Sequence, residues 1–156
     1  MIIIFQLAIL LSELYAKVDK GEDAYEILKT TDDNYSDKIQ RSLKNRVVYQ
    51  RCRIKASSYN KDMDLYLQEN LKLEEMLNET NENQKTLAKT CISIGYIYLE
   101  NKEKNKCLEY FQKAEKIFTV NGDTKLANDI RQRIIEVQKK EDKTEQESQD
   151  MSHSDD

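Results

Sequence analysis

Apolar residues recur along the chain at spacings of three and four, in segments separated by short polar breaks. This spacing is typical of amphipathic α-helices. It predicts helices at 3–17, 22–31, 37–58, 62–78, 84–100, 104–120 and 124–138. The Asp and Ser residues of "TTDDNYSD" (30–37) are predicted to cap the third helix. Asn121 and Gly122 form the clearest helix stop, because both residues tolerate the left-handed conformation.

The composition agrees with an all-α fold. The chain has 156 residues, three glycines, no proline and no tryptophan. Strand sandwiches and barrels need turn residues at short intervals, so this shortage argues against an all-β fold. We predict one domain over 1–138, made of three antiparallel helix pairs (about 3–31, 37–78 and 84–120) and a C-terminal capping helix (124–138).

The second helices of the three pairs share a spacing that indicates an internal repeat. Anchors can be placed at Ala24, Leu67 and Cys107, and each has an apolar residue four positions later. These later residues are Leu28, Leu71 and Phe111. Tyr15 and Tyr98 each lie nine residues before their anchor, whereas the middle pair does not keep this tyrosine.

The third pair resembles the tetratricopeptide repeat family. The resemblance rests on alternating small and aromatic residues, namely Gly95, Tyr98, Cys107, Phe111 and Ala114. The first pair looks like a weaker copy, through Ser12, Tyr15, Ala24 and Leu28. The chain departs from the family pattern because it has no repeat-starting tryptophan and no repeat-ending proline, and its repeats are about 40 residues long.

The resemblance implies a right-handed α-solenoid that serves as a scaffold or adaptor. It also implies that Gly95 allows the two helices of a pair to approach closely, near Ala114. In this family the first helix of each pair lines a concave groove that binds a partner protein or peptide. The chaperone-binding clamp of some members is absent, since Ile92 and Tyr96 occupy its positions in the third pair.

A basic run gives the groove a predicted charge. Residues 38–61 contain eight basic residues and no acidic one. Four of the basic residues share one broad side of the helix, namely Arg41, Lys44, Arg51 and Lys55. This side favours an acidic partner peptide, with nucleic acid the weaker candidate. The alternative is that these charges only balance Glu69, Glu74 and Glu75 on the following helix. Lys89 and Tyr96 are predicted to join the groove.

The residues from 139 to 156 are predicted to form an acidic, disordered tail. This segment holds three basic and seven acidic residues, which accounts for the whole net charge of −4. The helical body is therefore neutral. The tail itself is a candidate occupant of the basic groove, on charge complementarity alone.

No pattern in the sequence indicates catalysis. The single histidine, His153, lies in the predicted tail, and no glycine-rich phosphate loop or metal-ligand spacing occurs. The three isolated cysteines suggest a reducing compartment. We therefore expect a non-enzymatic, cytoplasmic protein without cofactors.

The apolar stretch "MIIIFQLAILL" leaves alternatives open. It is too short to span a bilayer, and a buried helix is favoured over a signal peptide because no basic residue precedes it. The helix could mediate self-association or belong to a longer repeat array. A peptide-sensing regulatory domain and a self-assembling structural component remain the alternatives to an adaptor.

Overall fold

The computed structural model describes the backbone of residues 2–18, 20–39, 42–59, 62–79 and 83–151. Its side chains are described for residues 7–15, 17–18, 20–31, 42–59, 62–79 and 83–139. Within these ranges the chain forms helices and no strand, which confirms the all-α prediction. The helices are α1 (Ile2–Lys17), α2 (Gly21–Ile39), α3 (Leu43–Tyr59), α4 (Met63–Asn78), α5 (Gln84–Glu100), α6 (Lys104–Val120) and α7 (Thr124–Met151). They fall into two compact units, 1–83 and 84–156.

The boundary between α2 and α3 differs from the prediction. The segment 30–37, predicted as a polar turn, is part of α2, and α3 begins at Leu43 instead of 37. The N-cap of α3 is Ser42, whose Oγ accepts a hydrogen bond from the Asn45 amide at 3.2 Å. No glycine or proline interrupts 22–42, and Thr, Asp, Asn and Ser each cost only a few tenths of a kcal/mol inside a helix. These polar residues were therefore too weak a signal to end α2.

Helix α7 also extends beyond its predicted end. It continues from 138 to Met151, through the first part of the segment predicted to be disordered. Lysine, glutamate and glutamine dominate this part, and all three are good helix formers. Residues 152–156, including His153, lie outside the described residues.

The first unit packs α1, α2 and α3 against one another, and α4 against α3. Its apolar core consists of Ala24 and Leu28 from α2 and Tyr49 and Ala56 from α3. The Tyr49 hydroxyl donates a hydrogen bond to the Leu28 carbonyl, which ties α3 to α2. Ser12 is buried on α1, and Tyr15 packs against this core.

The second unit packs α6 between α5 and α7. Cys107, Phe111 and Ala114 are fully buried on α6. A Cβ atom on Gly95 would lie 2.6 Å from two carbon atoms of the Phe111 ring and 3.4 Å from the Cys107 carbonyl oxygen. The glycine therefore accommodates Phe111, whereas the sequence analysis placed this approach near Ala114.

The middle pair follows the repeat with a different register from the predicted one. Helices α2, α4 and α6 begin at 21, 63 and 104, so their eighth residues are Leu28, Asn70 and Phe111, and all three are buried. Leu67 and Leu71, the predicted packing residues of α4, are only half-buried. Leu73 and Leu77 are buried in their place. The prediction followed apolar residues and so passed over the buried polar side chain of Asn70.

Candidate protein-binding face

An exposed basic face runs along α3, opposite the side that packs in the first unit. Lys44, Val48, Arg51 and Lys55 follow one another at spacings of four, three and four, so they lie on one side of the helix. All four side chains are exposed, and Val48 is 41% exposed. We call these four residues the basic face. Arg41, which was predicted to belong to it, lies outside the described residues.

One cation of the basic face is paired with a carboxylate of α1. The Lys55 Nζ lies 3.5 Å from Glu13 Oε1, and both side chains are more than one-third exposed. Such an exposed pair contributes little to stability and is screened by salt. It does set the local charge, since Glu13 offsets part of the positive potential at this end of the basic face.

Cys52 lies beside the basic face, half-buried on α3. Burial and the nearby Glu13 carboxylate raise the pKa of the Cys52 thiol, against the opposing effect of Lys55 and Arg51. A thiol with a raised pKa is a poor nucleophile at neutral pH. Cys52 is therefore a packing residue in this structure.

The inner side of α3 carries a buried polar network, centred on Glu69 of α4. The Glu69 side chain is fully buried and its Oε2 accepts hydrogen bonds from Arg53 Nε at 2.9 Å and Gln50 Nε2 at 2.7 Å. Its Oε1 accepts from Arg53 at 3.0 Å, from Lys72 at 3.0 Å and from the Tyr25 hydroxyl at 2.9 Å. Since Tyr25 belongs to α2, the network connects three helices of the first unit.

The network keeps Glu69 and Arg53 charged. Burial alone would raise the pKa of the Glu69 carboxyl, but the hydrogen bonds from Arg53, Lys72 and Gln50 outweigh it and hold that pKa below its usual value. Burial alone would lower the pKa of Arg53, and the Glu69 carboxylate reverses that effect and raises it. Burial raises the pKa of the Tyr25 hydroxyl, and its hydrogen bond to Glu69 acts in the same direction.

The structure therefore separates the basic run into two sets. Arg53 and Arg46 bind carboxylates, Glu69 and Glu79 respectively, and so match the alternative in which the charges balance acidic neighbours. Lys44 and Arg51 point to solvent on the basic face. Sequence reasoning missed the network because Arg53 and Glu69 look like ordinary surface charges. In the repeat, Arg53 corresponds to Ile94 of the third pair, which is buried, and Glu69 corresponds to Tyr110, which is half-buried. This correspondence is the one signal that could have identified them.

The second unit holds the two remaining predicted groove residues, both on α5. Lys89 is exposed, and Tyr96 is 39% exposed with its ring edge-on to Phe111 at a centroid distance of 5.1 Å. Half-buried Ile92 lies between them on the same side of the helix. This side carries less charge than the basic face.

Two features are absent from the described part of the chain. No group of three or more His, Cys, Asp or Glu side chains there could hold a metal ion. No helix among the same residues is long and apolar enough to cross a membrane.

Similar folds occur in solved structures of tetratricopeptide repeat proteins. One is a signal transduction ATPase with numerous domains (STAND) from Pyrococcus horikoshii that has a tetratricopeptide repeat sensor. The match has a TM-score of 0.75 at 18% identity and covers 87% of this chain. This chain spans only 21% of that protein.

Another similar structure is a Podosopora anserina putative kinesin light chain with nearly identical TPR-like repeats. It matches with a TM-score of 0.58 at 11% identity, over 86% of this chain and 75% of that one. A point variant of that protein matches with the same TM-score, at 12% identity. No family model and no curated protein sequence matches the chain. The fold is thus that of tetratricopeptide-like helical repeats, as the sequence resemblance predicts.

Proposed function

We propose that the chain is a non-enzymatic interaction module whose basic face binds an acidic peptide or helix of a partner protein. The observation that carries this proposal is the exposed row of Lys44, Val48, Arg51 and Lys55 on a face of α3 that the first unit does not use for packing. The similar folds support it at the level of class, since tetratricopeptide-like repeats are commonly interaction modules.

The chemistry of the basic face favours one kind of partner. Cations on either side of an apolar side chain suit a peptide in which acidic residues flank an aliphatic one. Exposed ion pairs give about 0.2–1 kcal/mol each, so most of the selectivity is expected to come from several pairs acting together. Binding should therefore weaken as the salt concentration rises.

The test is a titration of the purified chain with labelled peptides, followed by fluorescence anisotropy. The probes alternate Glu or Asp with Leu or Val, and the control peptides carry Lys in place of each acidic residue. We expect K44A/R51A to weaken binding of the acidic probes by about 2–30-fold, because two exposed ion pairs are lost. Glu13→Gln should strengthen it, since Lys55 then loses its internal carboxylate.

The matched control removes two exposed lysines of the second unit, in K116A/K125A. It changes the net charge by the same amount and leaves the basic face intact. Equal weakening in the control and in K44A/R51A would contradict the proposal, as would equal binding of the acidic and basic probes.

A sensor domain within a larger protein is the second candidate. It rests on the STAND protein, whose tetratricopeptide repeats are described as a sensor and which gives a TM-score of 0.75 over 87% of this chain. A sensor would use the same peptide-binding face. Ligand binding would then change the behaviour of a linked domain, which an adaptor does not require.

A further inference from the structure

Helix α1 carries a contiguous apolar surface. Four of its leucines and the valine that directly follows it are 44–65% exposed, namely Leu7, Leu10, Leu11, Leu14 and Val18. We call them the leucine face. Elsewhere among the described residues, the exposed large apolar side chains are separate positions on α3, α5 and α6, namely Val48, Tyr59, Tyr96 and Val120. A grouped apolar surface of this kind commonly marks an interaction site.

The internal repeat explains which role the leucine face has. Tyr15 and Ser57 occupy the same position of the repeat, because each lies 13 residues before the buried eighth residue of the following helix, Leu28 or Asn70. Leu7, Leu11 and Leu14 lie eight, four and one residues before Tyr15. Tyr49, Arg53 and Ala56 stand at the same distances before Ser57. In α3 these positions pack on the preceding helix, α2. Tyr49 donates to the Leu28 carbonyl, Arg53 donates to the Tyr25 hydroxyl at 2.8 Å, and Ala56 belongs to the core with Ala24.

The other faces of α1 already have partners within the first unit. Ala8 and Ser12 are buried on the side that also carries Tyr15, which packs against the core. Glu13 reaches Lys55 of α3. The leucine face is thus the helix-stacking face of the repeat, turned to solvent.

The last helix of the chain, α7, does not offer a complementary surface. It buries Ala127, Ile130, Ile134 and Val137, whereas the polar residues Asn128, Arg131 and Gln138 are exposed. A head-to-tail contact would therefore set leucines against polar side chains. Within the described residues, the surface that matches the leucine face in size and chemistry is the leucine face of another copy.

We infer that two copies of the chain pair through α1, with the helices antiparallel about a two-fold axis midway between Leu11 and Leu14. The spacing of Leu7, Leu11, Leu14 and Val18 is four, three and four, which is that of a two-helix seam. In this arrangement Leu7 of each copy lies opposite Val18 of the other, and Leu11 lies opposite Leu14. A two-fold pair is closed, so association stops at two copies. This inference is independent of the proposed function, because the basic face lies on another helix.

The first experiment measures mass by sedimentation velocity and light scattering at micromolar concentration. We expect twice the chain mass of 18.4 kDa for the wild type. L7E/L14E should be monomeric, because loss of each buried leucine raises the dissociation constant by about tenfold or more. The control is Val120→Glu, which places one glutamate at an apolar position that is 79% exposed on α6. It should remain a dimer.

Circular dichroism of each variant checks that its helices are intact, which the exposed positions lead us to expect. A monomeric wild type would overturn the inference. A series of larger species would also overturn it, because open assembly indicates head-to-tail contacts. So would a folded L7E/L14E variant that keeps the dimer mass.

A second experiment tests the antiparallel arrangement. A mixture of Leu7→Cys and Val18→Cys chains should form a disulfide between the two variants under mild oxidation, since these positions face each other. Each variant oxidised alone should stay largely uncrosslinked. Efficient crosslinking of Leu7→Cys with itself would show a parallel pair and contradict the proposed geometry.

Discussion

At the scale of single residues, Gly95 shows how one missing side chain sets the approach of two helices. Glycine in a helix costs about 1 kcal/mol relative to alanine, so its presence in the middle of α5 needs a packing reason. The reason is the Phe111 ring, which occupies the space that a Cβ atom would need. Phe111 is fully buried and cannot move without disturbing the core of the second unit.

Gly95→Ala is therefore expected to lower the free energy of unfolding by about 1–3 kcal/mol, because overpacking outweighs the gain in helix propensity. Urea denaturation measures this change. A double-mutant cycle with Phe111→Leu provides the control, since the smaller side chain relieves the overlap and should reduce the effect of the alanine. An alanine that stabilises the wild-type background would show that the overlap relaxes freely.

Glu69 is the second residue whose environment makes a sharp prediction. Its buried carboxylate pairs with Arg53, and removing one partner of a buried pair leaves the other without compensation. We expect Glu69→Gln to lower the free energy of unfolding by about 3 kcal/mol at neutral pH. The exposed Glu75 on the same helix supplies the control, because Glu75→Gln removes the same charge from the surface.

The effect of Glu69→Gln should depend on pH. The folded state holds the pKa of Glu69 below its unfolded value of about 4.3, so the charged carboxylate stabilises the fold at any pH above that value. As the pH falls below about 4.3 toward the folded pKa, this contribution is lost. The stability difference between wild type and Glu69→Gln should then shrink. A difference that grew with acidification would contradict a lowered pKa.

At the scale of whole helices, apolar periodicity correctly predicted the helices whose ends are marked by clear turn sequences. Helices α5 and α6 begin and end where the sequence places them, and "NGD" (121–123) separates α6 from α7. The sequence failed where polar residues alone had to mark an end, between α2 and α3 and after 138. It also could not show that α4 buries Asn70 and Glu69, because buried polar side chains are stabilised by partners distant in sequence. The same limit hid the division of the basic run into a buried and an exposed set.

The corrected boundary between α2 and α3 can be tested with two serines. Ser42→Ala removes the N-cap of α3 and should lower the free energy of unfolding by about 1 kcal/mol. Ser36 lies within α2, where alanine has the higher helix propensity, so Ser36→Ala should be neutral or slightly stabilising. Urea denaturation of both variants decides between them. If Ser36→Ala lowers the free energy of unfolding more than Ser42→Ala does, α3 begins near 37 as the sequence predicts.

At the scale of the whole molecule, the two units differ in the polarity of their buried side chains. The first buries several polar side chains, namely Gln50, Ser57, Glu69, Asn70 and Glu74, next to a small apolar core. In the second unit the buried residues are almost all apolar, and the largest are Phe111, Phe118, Ile94 and Ile97. Apolar burial is the main favourable contribution to folding, whereas a buried polar network contributes little net free energy despite its many hydrogen bonds.

We therefore expect hydrogen exchange, followed by mass spectrometry, to be slower in α5 and α6 than in α3 and α4. Glu69→Gln should accelerate exchange in α2, α3 and α4, the three helices that its hydrogen bonds connect. Uniform protection across all five helices would mean that the polar network stabilises the first unit as strongly as apolar packing stabilises the second. Because the basic face lies on α3, faster opening there would also give the proposed peptide site more conformational freedom than the rest of the chain.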